Sequence, residues 1–307
     1  MTSTTASEPM AMEMVGDAVA ALVGSPDASV EGLSGFVGNQ DFLVRTSSGD
    51  YVLKAGQAAS IAAEAWACER VRREGVPAPE IVAVDLDRAA LPLPFLLMRR
   101  MPGGPVDDGH DALAEAGRQV RTVHEIAVDG YGFLHETSGW DGVDARPRGP
   151  HPDWHAVIAA PVRTLDGLVD AAVLDDALAG RLRAGIESHR SLLDGARRGV
   201  LLHGDLHPRH VFAAHGRLSG IIDWGDVAVG DPHFELGRFS RSGAASLDVL
   251  LRGYQPDPDP EFDRKLTLYR VVWSLLALGW EFDAGGDWFA GHIDAISEGL
   301  DLLARSG

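Results

Sequence analysis

The chain has 307 residues, of which 45% are hydrophobic and 23% are charged, and its 45 acidic and 27 basic side chains give a formal charge of −18. This composition is typical of a globular protein with a substantial core. The negative charge opposes binding to nucleic acids and to anionic lipid, so we expect neither a nucleic-acid partner nor a membrane partner. The sequence shows no signal-peptide pattern and no long apolar run, and the single Cys68 allows no internal disulfide. These features predict a cytoplasmic protein.

Short strands and one main helix are predicted for the first hundred residues. Two apolar runs flank the turn residues 46–50 and predict a hairpin. The Ala-rich segment "AASIAAEAWACERVRREG" predicts a helix that ends at Gly75, because two prolines follow this glycine. The segments "IVAVDLD" and "LPFLLMRRM" predict two further strands. The turn "PGGP" after them is the predicted boundary between residues 1–101 and 102–307.

Helical patterns dominate the second part of the chain. They cover roughly 111–126, 153–170, 175–194 and 261–305. Strand-like runs occur between them, in "VLLHGDL", "HVFAA" and "LSGIIDW". The segment "QPDPDPEFD" is interpreted as an exposed connector.

Ionisable residues are concentrated in "LLHGDLHPRHVF", residues 201–212. The following sequence predicts a hairpin that turns at Gly216 and returns Asp223 towards His210, with Asp205 at the start of the loop. Two carboxylates and an imidazole near one point suit a divalent cation and a proton acceptor. The alternative is a polar turn in which Asp205 caps backbone amides and the histidines are solvated.

The segments "HGDLHPRH" and "IIDWGDVAVGDP" resemble the catalytic and metal-binding segments of the aminoglycoside and macrolide phosphotransferases, which are protein-kinase-like small-molecule kinases. The resemblance covers about residues 33–240. It implies an α+β, bilobal protein-kinase-like fold, with a small N-terminal antiparallel-sheet lobe that binds nucleotide (1–101) and a larger, mostly helical lobe for catalysis and substrate binding (102–307). It also implies a phosphotransferase that uses ATP or GTP, Mg²⁺ and an alcohol acceptor.

The resemblance assigns roles to the ionisable residues of the second lobe. Asp205 is expected to orient the acceptor hydroxyl and take its proton, and Asp223 to ligate Mg²⁺. His203 is expected to brace the loop. His210 stands where the family commonly has an asparagine ligand, and magnesium prefers oxygen to imidazole. Because the macrolide branch also carries a histidine there, we expect His210 to bind the metal directly or through water.

The nucleotide side is assigned in the same way. Gly35, Gly38 and Asn39 lie in the expected nucleotide-covering turn, where small residues let the backbone approach phosphate. Lys54 stands at the position of the phosphate-contacting lysine, and Glu64 at that of its paired glutamate. Without the resemblance, the turn is an ordinary Gly-rich hairpin and the lysine an ordinary surface residue.

The segment "FLLMRRMPGG" resembles the linker between the two lobes, whose backbone binds the adenine edge. The carbonyl of Arg99 and the amide of Met101 are the predicted adenine contacts. Because backbone groups make these contacts, the side chains there carry little information.

The acceptor pocket is less defined by the sequence. Residues 1–101 hold 13 acids and 8 bases, which leaves a net charge of −13 for 102–307. An acidic cleft would attract amine-bearing antibiotics, although surface acids also serve solubility alone. Trp273 and Trp280 are seven residues apart and share a helical face, which indicates core packing or an aromatic wall for a ligand.

Three functions are compatible with these features. The first is an ATP-dependent antibiotic O-phosphotransferase that confers resistance. The second is a metabolic kinase for choline, a sugar or an amino acid, and the third is a nucleotide-binding pseudokinase that acts by interaction. The complete set of Lys54, Glu64, Asp205 and Asp223 favours an enzyme.

Overall fold

A five-stranded antiparallel sheet forms the N-terminal part of the molecule. The computed structural model describes residues 9–33, 39–137, 147–194 and 198–305. The strands of the sheet are β1 (Ser29–Leu33), β2 (Gln40–Thr46), β3 (Gly49–Ala55), β4 (Ile81–Asp85) and β5 (Phe95–Arg99). Their order is β1-β2-β3-β5-β4, and every neighbouring pair is antiparallel. The predicted hairpin is formed by β2 and β3.

Two helices cover the two faces of this sheet, α1 (Met12–Val23) and α2 (Ala58–Arg73). Side chains alternate between faces along a strand. In β5, Phe95 and Leu97 accordingly pack with the α1 side, whereas Leu96 and Met98 pack with Ile61 of α2. The sequence predicts α2 as the one main helix, and the structure adds α1, whose apolar face is buried against the sheet.

Helices make up most of the C-terminal part. They are α3 (Ala112–Val123), α4 (Trp154–Arg163), α5 (Leu165–Asp170), α6 (Asp176–Ser188), α7 (Pro232–Phe239), α8 (Ala244–Tyr254), α9 (Phe262–Asp283) and α10 (Ala290–Arg305). The predicted helices 153–170 and 261–305 are each two helices. The sequence patterns also missed α7 and α8. In α7 the charged residues Glu235 and Arg238 are buried, which conceals the usual alternation of an apolar and a polar face.

Two small sheets hold the loops that carry the ionisable residues. One contains β6 (Gly104–Pro105), β9 (Val211–Ala214) and β10 (Arg217–Ile221), and the other contains β7 (Gly132–Phe133), β8 (Val200–Leu202) and β11 (Ala228–Gly230). The hairpin β9–β10 pairs Val211 with Ile221. The loop before β9 and the loop after β10 are therefore neighbours, as the sequence predicts.

Buried apolar residues fix both loops to the core. Leu206, Val211, Ile221, Trp224 and Val227 are all almost fully buried and belong to one cluster. Burying one such side chain contributes about 1.5–3 kcal/mol, so the loops are held by packing as well as by hydrogen bonds. Among the described residues, we found no helix with the length and apolar character that crossing a membrane requires.

Candidate active site

Lys54 of β3 connects the N-terminal sheet with the loop after β10. Its Nζ lies 2.8 Å from Oε2 of Glu64 on α2 and 2.6 Å from Oδ1 of Asp223. Burial opposes the charge on Lys54, but the carboxylates of Glu64 and Asp223 outweigh it and hold the pKa of the lysine well above its usual value. Lys54 in turn holds the pKa of Asp223 well below its usual value, against the effect of burial. Burial raises the pKa of Glu64 to about 7, although Lys54 opposes this effect. Lys54 and Asp223 are therefore the firmly charged members of the network at neutral pH.

Asp205 lies in the loop between β8 and β9, where Arg238 holds it. Nε and Nη2 of Arg238 are each 2.7 Å from Oδ1 of Asp205. Oδ2 of Asp205 points towards the other side, 4.0 Å from Nδ1 of His210. The carboxylate thus has one oxygen fixed by a buried guanidinium and one oxygen on the side of His210, which also contacts Asp223.

His210 has its two ring nitrogens in different environments. Nδ1 lies 2.8 Å from the backbone carbonyl oxygen of Asp205, and a carbonyl only accepts, so Nδ1 is the protonated nitrogen. Nε2 lies 3.3 Å from Oδ2 of Asp223. In the neutral ring this nitrogen carries a lone pair that faces a carboxylate. Two acceptors at this distance are the arrangement that a cation between them would satisfy.

The metal predicted from the sequence fits this pair of groups. Mg²⁺ commonly takes one or two protein ligands and completes its shell with phosphates and water. Asp223 and His210 provide two groups, and among the described residues no cluster of three or more histidine, cysteine or acidic residues suited to a metal is present. This donor set therefore suits a magnesium ion shared with a nucleotide and does not suit a metal site made entirely by the protein.

Asp223 has a backbone conformation that is uncommon for a side-chain-bearing residue. Its φ is 66°, in the left-handed region. Aspartate tolerates this region better than most residues, at a cost of about 1–2 kcal/mol. The strained residue is the one that contacts both Lys54 and His210, so the strain coincides with the centre of the site.

Glu235 and Arg238 are site residues that the sequence analysis missed. They lie three apart in α7, a spacing that puts them on one face. Arg238 binds Asp205, and the fully buried Glu235 accepts the backbone N–H groups of His203 (2.7 Å) and Gly204 (3.0 Å). One helix face thus holds both the backbone and the key carboxylate of the loop. Two charged residues in the mostly apolar run "HFELGRF" are the signal that could have identified them.

The loop approaches its neighbour most closely at Gly204. Its φ is 87°, and a Cβ at this position would lie 1.8 Å from the carbonyl oxygen of Asp226. A residue with a side chain would therefore have to displace the backbone next to Asp205. The glycine of "HGD" is explained by this contact.

The other two histidines of the loop have structural contacts. Nε2 of His203 lies 2.8 Å from the carbonyl oxygen of Ile222, which joins the two loops, and burial lowers the pKa of this ring. Nδ1 of His207 accepts the N–H of Arg209 and caps the short turn that ends at His210. These contacts agree with the bracing role expected for His203.

The remaining nucleotide-side predictions concern backbone groups. Gly35 and Gly38 lie outside the described residues, and Asn39 is exposed just before β2. The amide of Arg99 donates to the carbonyl of Glu80. The methyl group of Met101 lies against Gly220, where a Cβ would be 2.2 Å away. The proposed adenine contacts of Arg99 and Met101 stay predictions.

We expect Lys54→Met to destabilise the fold as well as weaken nucleotide binding. Glu64 is only 3% exposed and would lose its cation, and breaking a buried ion pair costs about 3–5 kcal/mol. The additional change Glu64→Gln should restore part of this loss, because no unpaired buried charge would remain. Urea unfolding of the wild type, both single variants and the double variant measures the coupling. Additive effects of the two changes would contradict the ion pair as described.

The sheet, the Lys54–Glu64 pair and the helical C-terminal part define a protein-kinase-like fold. A thermostable variant of aminoglycoside phosphotransferase APH(4)-Ia, in complex with ADP and hygromycin B, matches 95% of this chain and 98% of its own, with a TM-score of 0.69 and 20% identity. A putative fructosamine-3-kinase from Thermobifida fusca gives a TM-score of 0.71 at 18% identity over 95% and 98% of the chains. Macrolide 2'-phosphotransferase MphH from Brachybacterium faecium gives 0.62 at 20% identity over 94% and 98%.

The sequence comparisons identify the family. Residues 29–266 match the model of the phosphotransferase enzyme family. The chain therefore belongs to this family, as the sequence predicts. Viomycin phosphotransferase of Streptomyces vinaceus is 28% identical over 161 residues, which are 50% of this chain and 52% of that protein. The chain thus spans about half the length of this curated relative.

Proposed function

We propose that this phosphotransferase transfers the γ-phosphoryl group of ATP, or of GTP, to a hydroxyl of a small-molecule antibiotic and so confers resistance. The observation that carries the proposal is the continuous set of contacts from Lys54 through Asp223 and His210 to Asp205. This set combines a phosphate-binding cation, metal-binding groups and a carboxylate for the acceptor in one cleft. The relatives that act on viomycin, aminoglycosides and macrolides support an antibiotic acceptor.

In this mechanism Asp205 orients the acceptor hydroxyl and accepts its proton. Arg238 holds Oδ1 of Asp205, so Oδ2 is the oxygen available to the hydroxyl. The transition state of phosphoryl transfer is loose, and positioning and charge neutralisation therefore contribute more than a strong base does. Glu235 and Gly204 keep the loop backbone, and hence Asp205, in place.

The donor side is formed by Lys54, Asp223 and His210. Lys54, held by Glu64, is placed to bind nucleotide phosphate, and Asp223 and His210 would hold a magnesium ion. When bound, this ion would neutralise phosphate charge. We keep the predicted division into a nucleotide-binding lobe (1–101) and a catalytic lobe (102–307) as part of the proposal.

A panel of acceptors tests the function. The chain is incubated with ATP and Mg²⁺ and with aminoglycosides, macrolides, viomycin and other peptide antibiotics, and each compound is analysed by mass spectrometry. A gain of one phosphoryl group on one class is the expected result, and expression of the chain should protect a sensitive host against that class. Phosphorylation of choline or a sugar but of no antibiotic would favour the metabolic kinase. ATP binding without transfer to any acceptor would favour the pseudokinase.

The role of His210 predicts how activity depends on magnesium. His210→Asn replaces the imidazole by an amide oxygen on a shorter side chain and should keep activity, because oxygen is the preferred ligand of Mg²⁺. His210→Ala removes the ligand and should raise the Mg²⁺ concentration for half-maximal turnover roughly tenfold or more. Turnover is measured against Mg²⁺ concentration for the three proteins, with His189→Ala as a control on the surface of the C-terminal part. An unchanged magnesium requirement in His210→Ala would exclude the ligand role.

A further inference from the structure

Two arginines lie over the ring of Trp273 beside Asp205, and a third precedes Trp273 by one turn of α9. Arg238 binds Oδ1 of Asp205, and its Cζ lies 4.0 Å from the ring centroid of Trp273. Arg241 follows Arg238 by three residues, and its Cζ lies 5.3 Å from the centroid of the same ring. Arg270 lies three residues before Trp273 in α9 and so on the same face of this helix, and its charge disfavours that of Arg241. We call this group of Arg238, Arg241 and Arg270 around Trp273 the arginine cluster.

The arginine cluster continues towards the surface through aromatic residues. Arg241 contacts the hydroxyl of Ser274 and lies 3.5 Å from Nδ1 of His292. The ring of His292 lies 5.0 Å from that of Trp288, which is 63% exposed. A wall of cationic and aromatic groups thus extends from Asp205 to solvent.

The positive charge of this wall is incompletely balanced. Arg238 is paired with Asp205, but among the described residues neither Arg241 nor Arg270 forms an ion pair. The charge of Glu281 acts on His292. Burial, with Arg238 and Arg270, lowers the pKa of Arg241 to about 10, and burial together with Arg241 lowers the pKa of His292 to about 4.

Unsatisfied hydrogen-bond donors occur in the same place. Nε of Arg270, Nε1 of Trp273 and Oγ of Ser242 are all buried without a partner among the described residues. A buried donor without an acceptor costs about 1–3 kcal/mol, and a buried cation without a counter-charge costs more. Stacking on Trp273 offsets part of this cost for the two neighbouring guanidinium groups. A ligand that supplies acceptor oxygens and negative charge would offset the rest.

The two oxygens of Asp205 separate the donor side from this wall. Oδ2 faces His210 and, beyond it, Asp223, whereas Oδ1 faces Arg238. An acceptor whose hydroxyl binds at Oδ2 of Asp205 would meet the arginine cluster where it extends past Oδ1 of the same carboxylate. Guanidinium groups recognise carboxylate and phosphate through paired hydrogen bonds.

We infer that the acceptor of this enzyme carries an anionic group, a carboxylate or a phosphate, which binds at the arginine cluster beside the hydroxyl that is phosphorylated. This inference rests on the proposed function and narrows its substrate class. The inference disfavours polycationic acceptors, although the negative net charge of residues 102–307 would attract them. The average charge of the lobe does not describe the charge next to Asp205.

Binding of four related sugar derivatives tests the inference. Gluconate carries a carboxylate, glucose 6-phosphate a phosphate, sorbitol no charge and glucosamine an amine, on the same hexose-derived frame. Affinities are measured by calorimetry with saturating ADP and Mg²⁺, so that the nucleotide phosphates already occupy the donor side. The variants are Arg241→Gln and Arg270→Gln, and the matched control is Arg264→Gln, an arginine of α9 that is paired with Glu261.

We expect at least one of the two anions to bind at least tenfold more tightly than sorbitol and glucosamine. Each cluster variant should weaken that binding roughly tenfold, because a hydrogen bond to a charged group contributes about 1.5–3 kcal/mol. Arg264→Gln should not change it. Tighter binding of glucosamine, equal binding of all four compounds, or cluster variants that bind as the wild type does would overturn the inference. Because binding is measured without turnover, failure of the proposed function would appear separately, as the absence of phosphoryl transfer in the acceptor panel.

Discussion

Asp205→Asn is expected to reduce turnover by about 10²- to 10⁴-fold, the usual contribution of a positioned acid–base group, while the fold stays intact. The amide oxygen of asparagine can still accept the hydrogen bond of Arg238, so the loop should keep its conformation, although the buried guanidinium loses its counter-charge and some stability is lost. The variant loses the negative charge that accepts the hydroxyl proton. Steady-state turnover and thermal unfolding are measured on the same preparations.

A matched control separates this effect from a general loss of charge. Asp194→Asn removes an acid that contacts His155 at the surface, and its turnover should equal that of the wild type. Near-normal turnover of Asp205→Asn would remove Asp205 from the mechanism. A large loss of stability in Asp205→Asn would assign it a structural role instead.

Glu235→Ala should destabilise the fold by about 3–5 kcal/mol, the usual cost of breaking a buried polar network. The side chain is completely buried and accepts the amides of His203 and Gly204, and its Oε2 lies 3.3 Å from Nε2 of His124. Alanine would leave these donors buried without an acceptor. Unfolding in urea measures the loss, with Glu187→Ala at an exposed position of α6 as the control. Equal unfolding free energies of Glu235→Ala and the wild type would contradict the anchoring role.

The same residue predicts an acid dependence of stability. Burial raises the pKa of Glu235, but the hydrogen bonds and charges of His124 and His203 outweigh burial, and its pKa lies below the usual value. A carboxyl with a lowered pKa in the folded state stabilises the fold above its unfolded pKa and loses this contribution as the pH falls through its folded pKa. We therefore expect the unfolding free energy of the wild type to fall below about pH 4.3 more steeply than that of Glu235→Gln. Parallel profiles for the two proteins would contradict this assignment.

Local patterns predicted the parts of the site that adjacent segments of the chain form. The hairpin β9–β10 was predictable from its apolar runs and glycine turn, and it brings Asp223 to within 3.3 Å of His210. The strand and helix around Lys54 and Glu64 were predictable from their periodicity and end signals. The Lys54–Asp223 contact joins residues 169 positions apart, and the sequence indicated it only through the family resemblance.

Burial of charged residues explains most of what the sequence analysis missed. Charged side chains are ordinarily exposed, so Glu235 and Arg238 did not stand out as candidates in "HFELGRF". Both are buried because the loop that they hold supplies their partners, which come from a different segment of the chain. The partners of a buried charge follow from the tertiary structure and not from the local pattern.

The arginine cluster is a second feature that the local sequence pattern could not predict, because the charge near the site also depends on the tertiary structure. Arg238 and Arg241 lie over Trp273, which comes from a different segment of the chain, and Arg238 also holds Asp205. The count of acids and bases for residues 102–307 was compatible with an acidic cleft and with acids that serve solubility alone, because such a count averages over the whole surface. The charge next to a reacting group depends on which few side chains reach it.

Transfer of a labelled phosphoryl group tests the central claim most directly. The wild type, Asp205→Asn and Asp223→Asn are incubated with γ-labelled ATP, Mg²⁺ and the acceptor panel, and the label is followed into the acceptor. We predict label on a hydroxyl of one acceptor class with the wild type, and a loss of orders of magnitude in both variants, because each changes the charge at the transferring group. Labelled acceptor at the same rate in either variant, or no labelled acceptor with the folded, nucleotide-binding wild type, would contradict the account.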